Sequence, residues 1–318
     1  MRHNPSFANF AKLAPLALAA IVTAAFSVAA VAADAPAKAK PRPTVSDIIK
    51  GTTAADWRDL DPQNTIYVEL PAGRIVIELA PNYAPNHVAN IKVLIHEQYF
   101  DGLSVMRAQD NYVAQWGDPT EKKEIKHAQK TLKAEFDSPL RKDVPFTALP
   151  DTDTYAPLTG LSDGLPAARD PKHDRAWLTH CYGMVGVGRD NDADSGGGTD
   201  LYVVIGHAPR NLDRNVTLVG RVMQGIELLS TLPRGTGALG FYEKPEQMVP
   251  IKAIRLEADV PEAERSHLEI IRTDTPTFKS IIEAARFRGG DWYKNSPDHV
   301  EVCNVPVAVR VKKDVAAK

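Results

Sequence analysis

Between Phe100 and Asp118 the chain reads FDGLSVMRAQDNYVAQWGD, and this stretch limits the fold more tightly than any other. Apolar residues alternate along Leu103, Val105, Arg107 and again along Tyr112, Ala114, Trp116. That period predicts two short strands joined at Asp110-Asn111. Residues of one parity share a face of a strand. Arg107, the only cation in the stretch, is therefore expected on a sheet or barrel surface beside an aromatic ring.

Flanking segments extend the β reading. Ile66–Leu70 and Arg74–Leu79 predict a hairpin across Pro71-Ala72-Gly73. Pro85 then opens a helix in which Val88, Ile91, Leu94 and Ile95 recur at helical spacing. A second helix is expected near Gln224–Leu232 and a closing strand over Met248–Leu256.

Five pieces, in order, carry a resemblance. Val105-Met106-Arg107, followed by Ala108–Asp118 with Tyr112, Gln115 and Gly117-Asp118, resembles the F-H-R and I-P-G-F-M-x-Q-G-G-D segments of cyclophilin-type peptidyl-prolyl isomerases. Ala134–Asp137 resembles that family's short acidic strand, and Gly183–Arg189 its G-x-L-S-M-A-N strand. Gly198–Val203 resembles G-S-Q-F-F-I, and Leu212–Val222 resembles L-D-G-x-x-V-F-G-x-V. The resemblance covers roughly residues 63–257, with an insertion near 141–180. It implies a mainly β fold with helices: a closed antiparallel β-barrel capped by two helices. Residues 34–62 would be a linker and N-terminal extension, and 258–318 a C-terminal extension.

Rotating an X–Pro bond needs no nucleophile, metal or cofactor. The barrier is amide resonance, ~18–20 kcal/mol. In the twisted transition state the prolyl nitrogen regains a lone pair, and a positioned donor can bond it there and not in the planar ground state. Arginine suits this task because it stays charged and presents a rigid fork of N–H groups. By resemblance Arg107 is the catalytic donor, and Gln115 anchors it and the substrate. Tyr112, Val113, Tyr202 and Leu212 would line the proline pocket, and Gly188 and Arg189 match the strand whose backbone holds the substrate chain. Read singly, Arg107 would be a solvated strand arginine and the tyrosines ordinary sheet aromatics. The chain departs from the pattern at Asn211 (usually an aromatic), Val216 (often histidine) and Val113 (Met). These departures leave two readings open: an isomerase acting on proline-containing polypeptides, and a peptide-binding or chaperone module of the same fold with little catalysis.

Arg2 and Lys12 precede a nearly unbroken Ala, Leu, Ile, Val run from Leu13 to Val31, and small residues lead to Asp34. This predicts a signal peptide over 1–33 and export to a bacterial periplasm, with an uncleaved anchor as the competing reading. Without residues 1–33 the chain carries 36 basic and 40 acidic side chains, a net charge of −4. That balance, with no basic run interleaved with aromatics, argues against nucleic-acid binding. No later segment is long and apolar enough to span a membrane. Cys181 and Cys303 are the only cysteines, and the sequence leaves open whether they form a disulfide or two buried thiols.

The insertion is rich in Pro, Asp and Gly, and it either borders the groove or forms a packed surface excursion. Beyond it, Phe278, Ile281, Ile282 and Ala285 predict an amphipathic helix, and Val300–Val311 an extended tail that packs on the barrel or meets a partner. An interaction scaffold working through these two regions is a third reading. Asp190–Gly196 begins like a calcium loop, but Ser195 and Leu201 stand where that loop needs Gly and Glu. No motif of a hydrolase, NTPase or dehydrogenase is present. Oligomeric state is not encoded in any of these features.

Overall fold

The computed structural model describes residues 42–289 and 292–312; the expected signal peptide and most of the linker lie outside them. In chain order the strands are β1 (Trp57–Asp59), β2 (Thr65–Leu70), β3 (Gly73–Leu79), β4 (Ser104–Ala108), β5 (Val113–Gly117), β6 (Thr147–Ala148), β7 (Leu158–Ser162), β8 (Leu165–Asp170), β9 (Arg175–Leu178), β10 (Met184–Val187), β11 (Leu201–Val204), β12 (Leu218–Gln224), β13 (Val249–Pro250), β14 (Ala253–Leu256), β15 (Leu268–Ile271) and β16 (Val309–Val311). The helices are α1 (Val45–Lys50), α2 (Pro85–His96), α3 (Glu227–Ser230) and α4 (Pro276–Phe287).

Nine strands form one curled antiparallel sheet in the order β13-β4-β5-β11-β10-β12-β3-β2-β14. The closed barrel implied by the sequence is not formed: the sheet curls but does not fully close. Its two edges, β13 and β14, belong to one segment that leaves β4 for β2. At the seam the Ile251 N–H donates to Leu103 O at 2.7 Å and the Lys252 N–H to Glu69 O at 2.8 Å. Pro250 has no N–H with which to continue the ladder. The expected closing strand over 248–256 is thus split in two. Helix α2 packs Val88, Ile91, Leu94 and Ile95 into the barrel interior, as its spacing predicts. The second expected helix shortens to the single turn α3.

Strands β2 and β3 are apolar on both faces. Ile66, Val68, Ile75 and Ile77 point into the barrel core, while Tyr67 and Val76 enter a second core outside it. Three segments cover that outer face. The insertion folds as a separate antiparallel sheet, β6-β7-β8-β9. The extensions pair with each other, since β15 lies between β1 and β16. Helix α4 contributes Phe278, Ile281, Ile282 and Ala285, the face its periodicity predicts. At the tight β7–β8 turn Gly164 has φ +87°, and a Cβ there would approach Ile270 Cδ1 to 2.6 Å, so only glycine fits.

Cys181 and Cys303 form a disulfide across 122 residues, tying the C-terminal tail to the segment entering β10. Reduction, or Cys303→Ala, is expected to lower unfolding stability by about 2–5 kcal/mol, read as a fall in the urea midpoint. An unchanged midpoint would mean that packing alone holds the tail.

Candidate active site

Four strands present one row of residues to a surface groove. Arg107 on β4 pairs with Gln115 on β5, Gln115 with Tyr202 on β11, and Tyr202 with Gly186 on β10. Phe241 bridges to Arg107 and extends the row beyond the β4 edge. The row exists because β4 carries a bulge. Val105 pairs with Trp116 but Arg107 pairs with Gln115, so Met106 is an extra residue. Were Met106 paired in a regular ladder, Arg107 would share a face with Val105, which lies in the barrel core. Parity alone therefore assigns Arg107 the wrong face, and the bulge turns it outward.

Three protein acceptors hold the guanidinium. Nη1 donates to Gln115 Oε1 at 3.0 Å, Nε to the Leu239 carbonyl at 2.7 Å, and Nη2 to Gln109 Oε1. Its carbon lies 5.3 Å from the Phe241 ring centre and 5.6 Å from that of Tyr112. These bonds use three of its five N–H groups. Burial lowers the Arg107 pKa, with the nearby Tyr112 opposing the shift. A half-desolvated cation exerts a stronger field on a bound group than a solvated one.

The eight residues singled out from the sequence all line one groove of about 470 Å³. Val113 and Tyr202 are buried and form an apolar wall with Tyr112, Val204 and Val216. Leu212 closes it from the short 3₁₀ turn Arg210–Leu212. Asn211, on the same turn, is exposed. Two expectations need correction. Gly188 and Arg189 lie just beyond β10, which ends at Val187. There the Gly188 N–H donates to Asp200 O at 2.8 Å, while Arg189 turns aside to donate to Asn215 O at 2.9 Å. The supposed acidic strand at 134–137 is not a strand among the described residues. Its Glu135 caps α2 instead, accepting the N–H groups of Asn86 at 3.1 Å and His87 at 2.9 Å.

Leu239 and Phe241 are among the groove residues that sequence reasoning missed. They sit in a glycine-rich loop without hydrophobic period, and Leu239 acts through its backbone carbonyl, which any residue supplies.

The match to known proteins follows this geometry. Residues 65–256, more than half of the chain, match the family described as cyclophilin type peptidyl-prolyl cis-trans isomerase/CLD. The chain belongs to the cyclophilins. It is 28% identical over 202 residues to probable peptidyl-prolyl cis-trans isomerases of Brucella suis and Brucella melitensis, covering 63% of this chain and 85% of each relative. The crystal structure of cyclophilin AquaCyp293 from Hirschia baltica aligns with TM-score 0.65 and 26% identity, over 81% of this chain and 95% of that one. That alignment is longer than the family match, so it reaches into the segments outside 65–256. The protein is accordingly a peptidyl-prolyl isomerase, and its substrates are proline-containing peptides.

Beside the groove of this cyclophilin, a second hollow of about 370 Å³ shares Gln115 and Gly188 and contains Asp200. Gly117 is required here: a Cβ would fall 1.9 Å from Asp200 Oδ1. Burial, reinforced by Glu121, Asp118 and Asp190, pushes the Asp200 carboxyl up to about 6. The folded chain thus holds this proton more tightly than the unfolded chain, whose aspartates titrate near about 4. Ionising Asp200 as pH rises through that window destabilises the fold. Asp200→Asn is expected to stabilise the protein by roughly 1–3 kcal/mol near neutral pH and by little below about pH 4. Thermal unfolding at the two pH values checks this, and equal effects at both would contradict it.

Proposed function

We propose that this isomerase acts through Arg107, which donates to the prolyl nitrogen as the X–Pro bond twists, while Tyr112, Val113, Tyr202 and Leu212 seat the pyrrolidine ring. The single observation that carries this reading is a cation clamped at 3.0 Å by Gln115 and 2.7 Å by Leu239, beside an apolar wall. Two of its N–H groups are free of those bonds, and a donor already fixed in place needs little reorganisation at the transition state. Gly188 and Arg189, at the open end of β10, offer backbone to an extended peptide. Val216 and Val113 keep the wall apolar without the polar contact or the longer side chain of the family pattern. The test is cis-to-trans isomerisation of a short Ala-X-Pro peptide. Arg107→Ala is expected to cut kcat/KM ~10- to 1,000-fold, one to several kcal/mol of transition-state stabilisation. Wild-type turnover in a folded Arg107→Ala protein would rule out this role.

The same reading places the enzyme in the periplasm, among exported chains. The composition of residues 2–33 and the Cys181–Cys303 disulfide, which persists in oxidising compartments, support it. Expressed in an export-competent bacterium, the protein is expected in the periplasmic fraction with its N-terminus at or next to Asp34. An uncleaved cytoplasmic product would contradict export.

A further inference from the structure

Behind the groove lies a chain of polar side chains for which the isomerisation chemistry has no use. Tyr202 Oη is 2.9 Å from His180 Nε2. His180 Nδ1 is 3.0 Å from Asp213 Oδ1, which also accepts the His180 backbone N–H at 2.8 Å. The other Asp213 oxygen accepts from Arg210 Nε at 2.6 Å, and Arg210 donates to both oxygens of Asp153 at 2.9 and 3.0 Å. Side-chain exposure is 0% for His180, 5% for Asp213, 8% for Arg210 and 7% for Asp153.

Such a set is costly to bury unless every member is paired, as each is here. The pairing also fixes the protons. An ionised carboxylate only accepts, so Asp213 keeps the His180 proton on Nδ1. Nε2 is left as an acceptor, and the Tyr202 hydroxyl donates to it. Burial raises the Tyr202 pKa, which keeps the phenol protonated as a donor. Where the family pattern has phenylalanine, this chain has a ring with a handle, and His180 holds the handle. The ring lies across Gly186, where a Cβ would meet it at 2.3 Å, so the missing side chain beneath makes the space the ring occupies. On the other side of His180, Asp213 directly follows Leu212. His180 and Asp153 both belong to the 141–180 insertion, so this excursion reaches the groove from behind.

We propose that His180 is a positioning residue: through the Tyr202 hydroxyl on one side and Asp213, Arg210 and Asp153 on the other, it fixes the two side chains, Tyr202 and Leu212, that close the apolar end of the groove, and so sets how tightly the prolyl ring is held. The proposal rests on the groove being the proline site. Seating the ring acts on the planar and twisted states alike, so losing it raises KM and leaves kcat in place.

The experiment measures kcat and KM on the Ala-X-Pro peptide for His180→Leu, His180→Gln, Tyr202→Phe and the Tyr202→Phe/His180→Leu pair, with Arg107→Ala alongside. Tyr202→Phe and His180→Leu are each expected to raise KM ~3- to 10-fold, the worth of one buried hydrogen bond, with kcat within about twofold. The double variant is expected to be no worse than His180→Leu, because both changes remove one interaction. His180→Gln, whose amide oxygen can accept from Tyr202, is expected to restore most of the loss. Wild-type KM in Tyr202→Phe, or a KM in His180→Gln as high as in His180→Leu, overturns the proposal. So does a fall in kcat at constant KM. If His180→Leu does not fold, Tyr202→Phe decides alone. Undiminished activity in Arg107→Ala would instead move the proline site elsewhere, whereas collapse there with wild-type KM in Tyr202→Phe rejects only the positioning role.

Discussion

The hydrogen bond between Arg107 and Gln115 depends on a single extra residue in β4. With Met106 bulged, Arg107 faces Gln115 across the ladder; were Met106 instead paired with Gln115 in a regular ladder, the guanidinium would enter a core built from Val105, Ala114 and Trp116. A charge in that interior would be desolvated and unpaired, at a cost no nearby group could offset. The bulge thus decides which face of the sheet is chemical and which is structural. The neighbouring strands then add Tyr202 and Gly186 to the same row by ordinary pairing. The loop carrying Leu239 and Phe241 closes the far side, so the guanidinium is held from three directions.

Outside the barrel the chain adds a second hydrophobic core of comparable extent to the first. It forms because β2 and β3 are apolar on both faces, and such strands must be covered on both. The N-terminal segment, the insertion and the C-terminal segment converge to do so. The insertion keeps only a small cluster of its own, Ala156, Ala168 and Trp177, and the outer segments are joined by β1–β15 pairing, by α1 against α4 and by the Cys181–Cys303 bond. The consequence for function is positional. Cys181 follows His180 directly, so the segment that locks the tail also lies against the back wall of the groove.

What was legible in the sequence divides along physical lines. Periodicity located the β2–β3 hairpin and the buried faces of α2 and α4, because burial of one face leaves a repeating mark. Ordered motifs brought the eight groove residues together, since each piece keeps its place on a strand or turn. The bulge at Met106 left no mark, for it contains neither Gly nor Pro and differs from a regular strand only in its pairing. The carboxylate of Glu135 capping α2 and the carbonyl of Leu239 on Arg107 are long-range contacts, made by groups whose partners only the fold defines. The strands of the insertion were hidden by its Pro, Asp and Gly content, which marks the turns between them. The seam at Pro250 was hidden because a closing strand and one that changes partner have the same composition.

The most direct test of the central claim observes the guanidinium itself. In a protein with nitrogen-15 label in its arginines, the side-chain resonances of Arg107 are followed by NMR during turnover of an Ala-X-Pro peptide. The account predicts that they shift and broaden with the proline peptide and stay unchanged with a matched peptide carrying alanine in place of proline. Arg107 resonances indifferent to the proline peptide, while the enzyme turns it over, would contradict it.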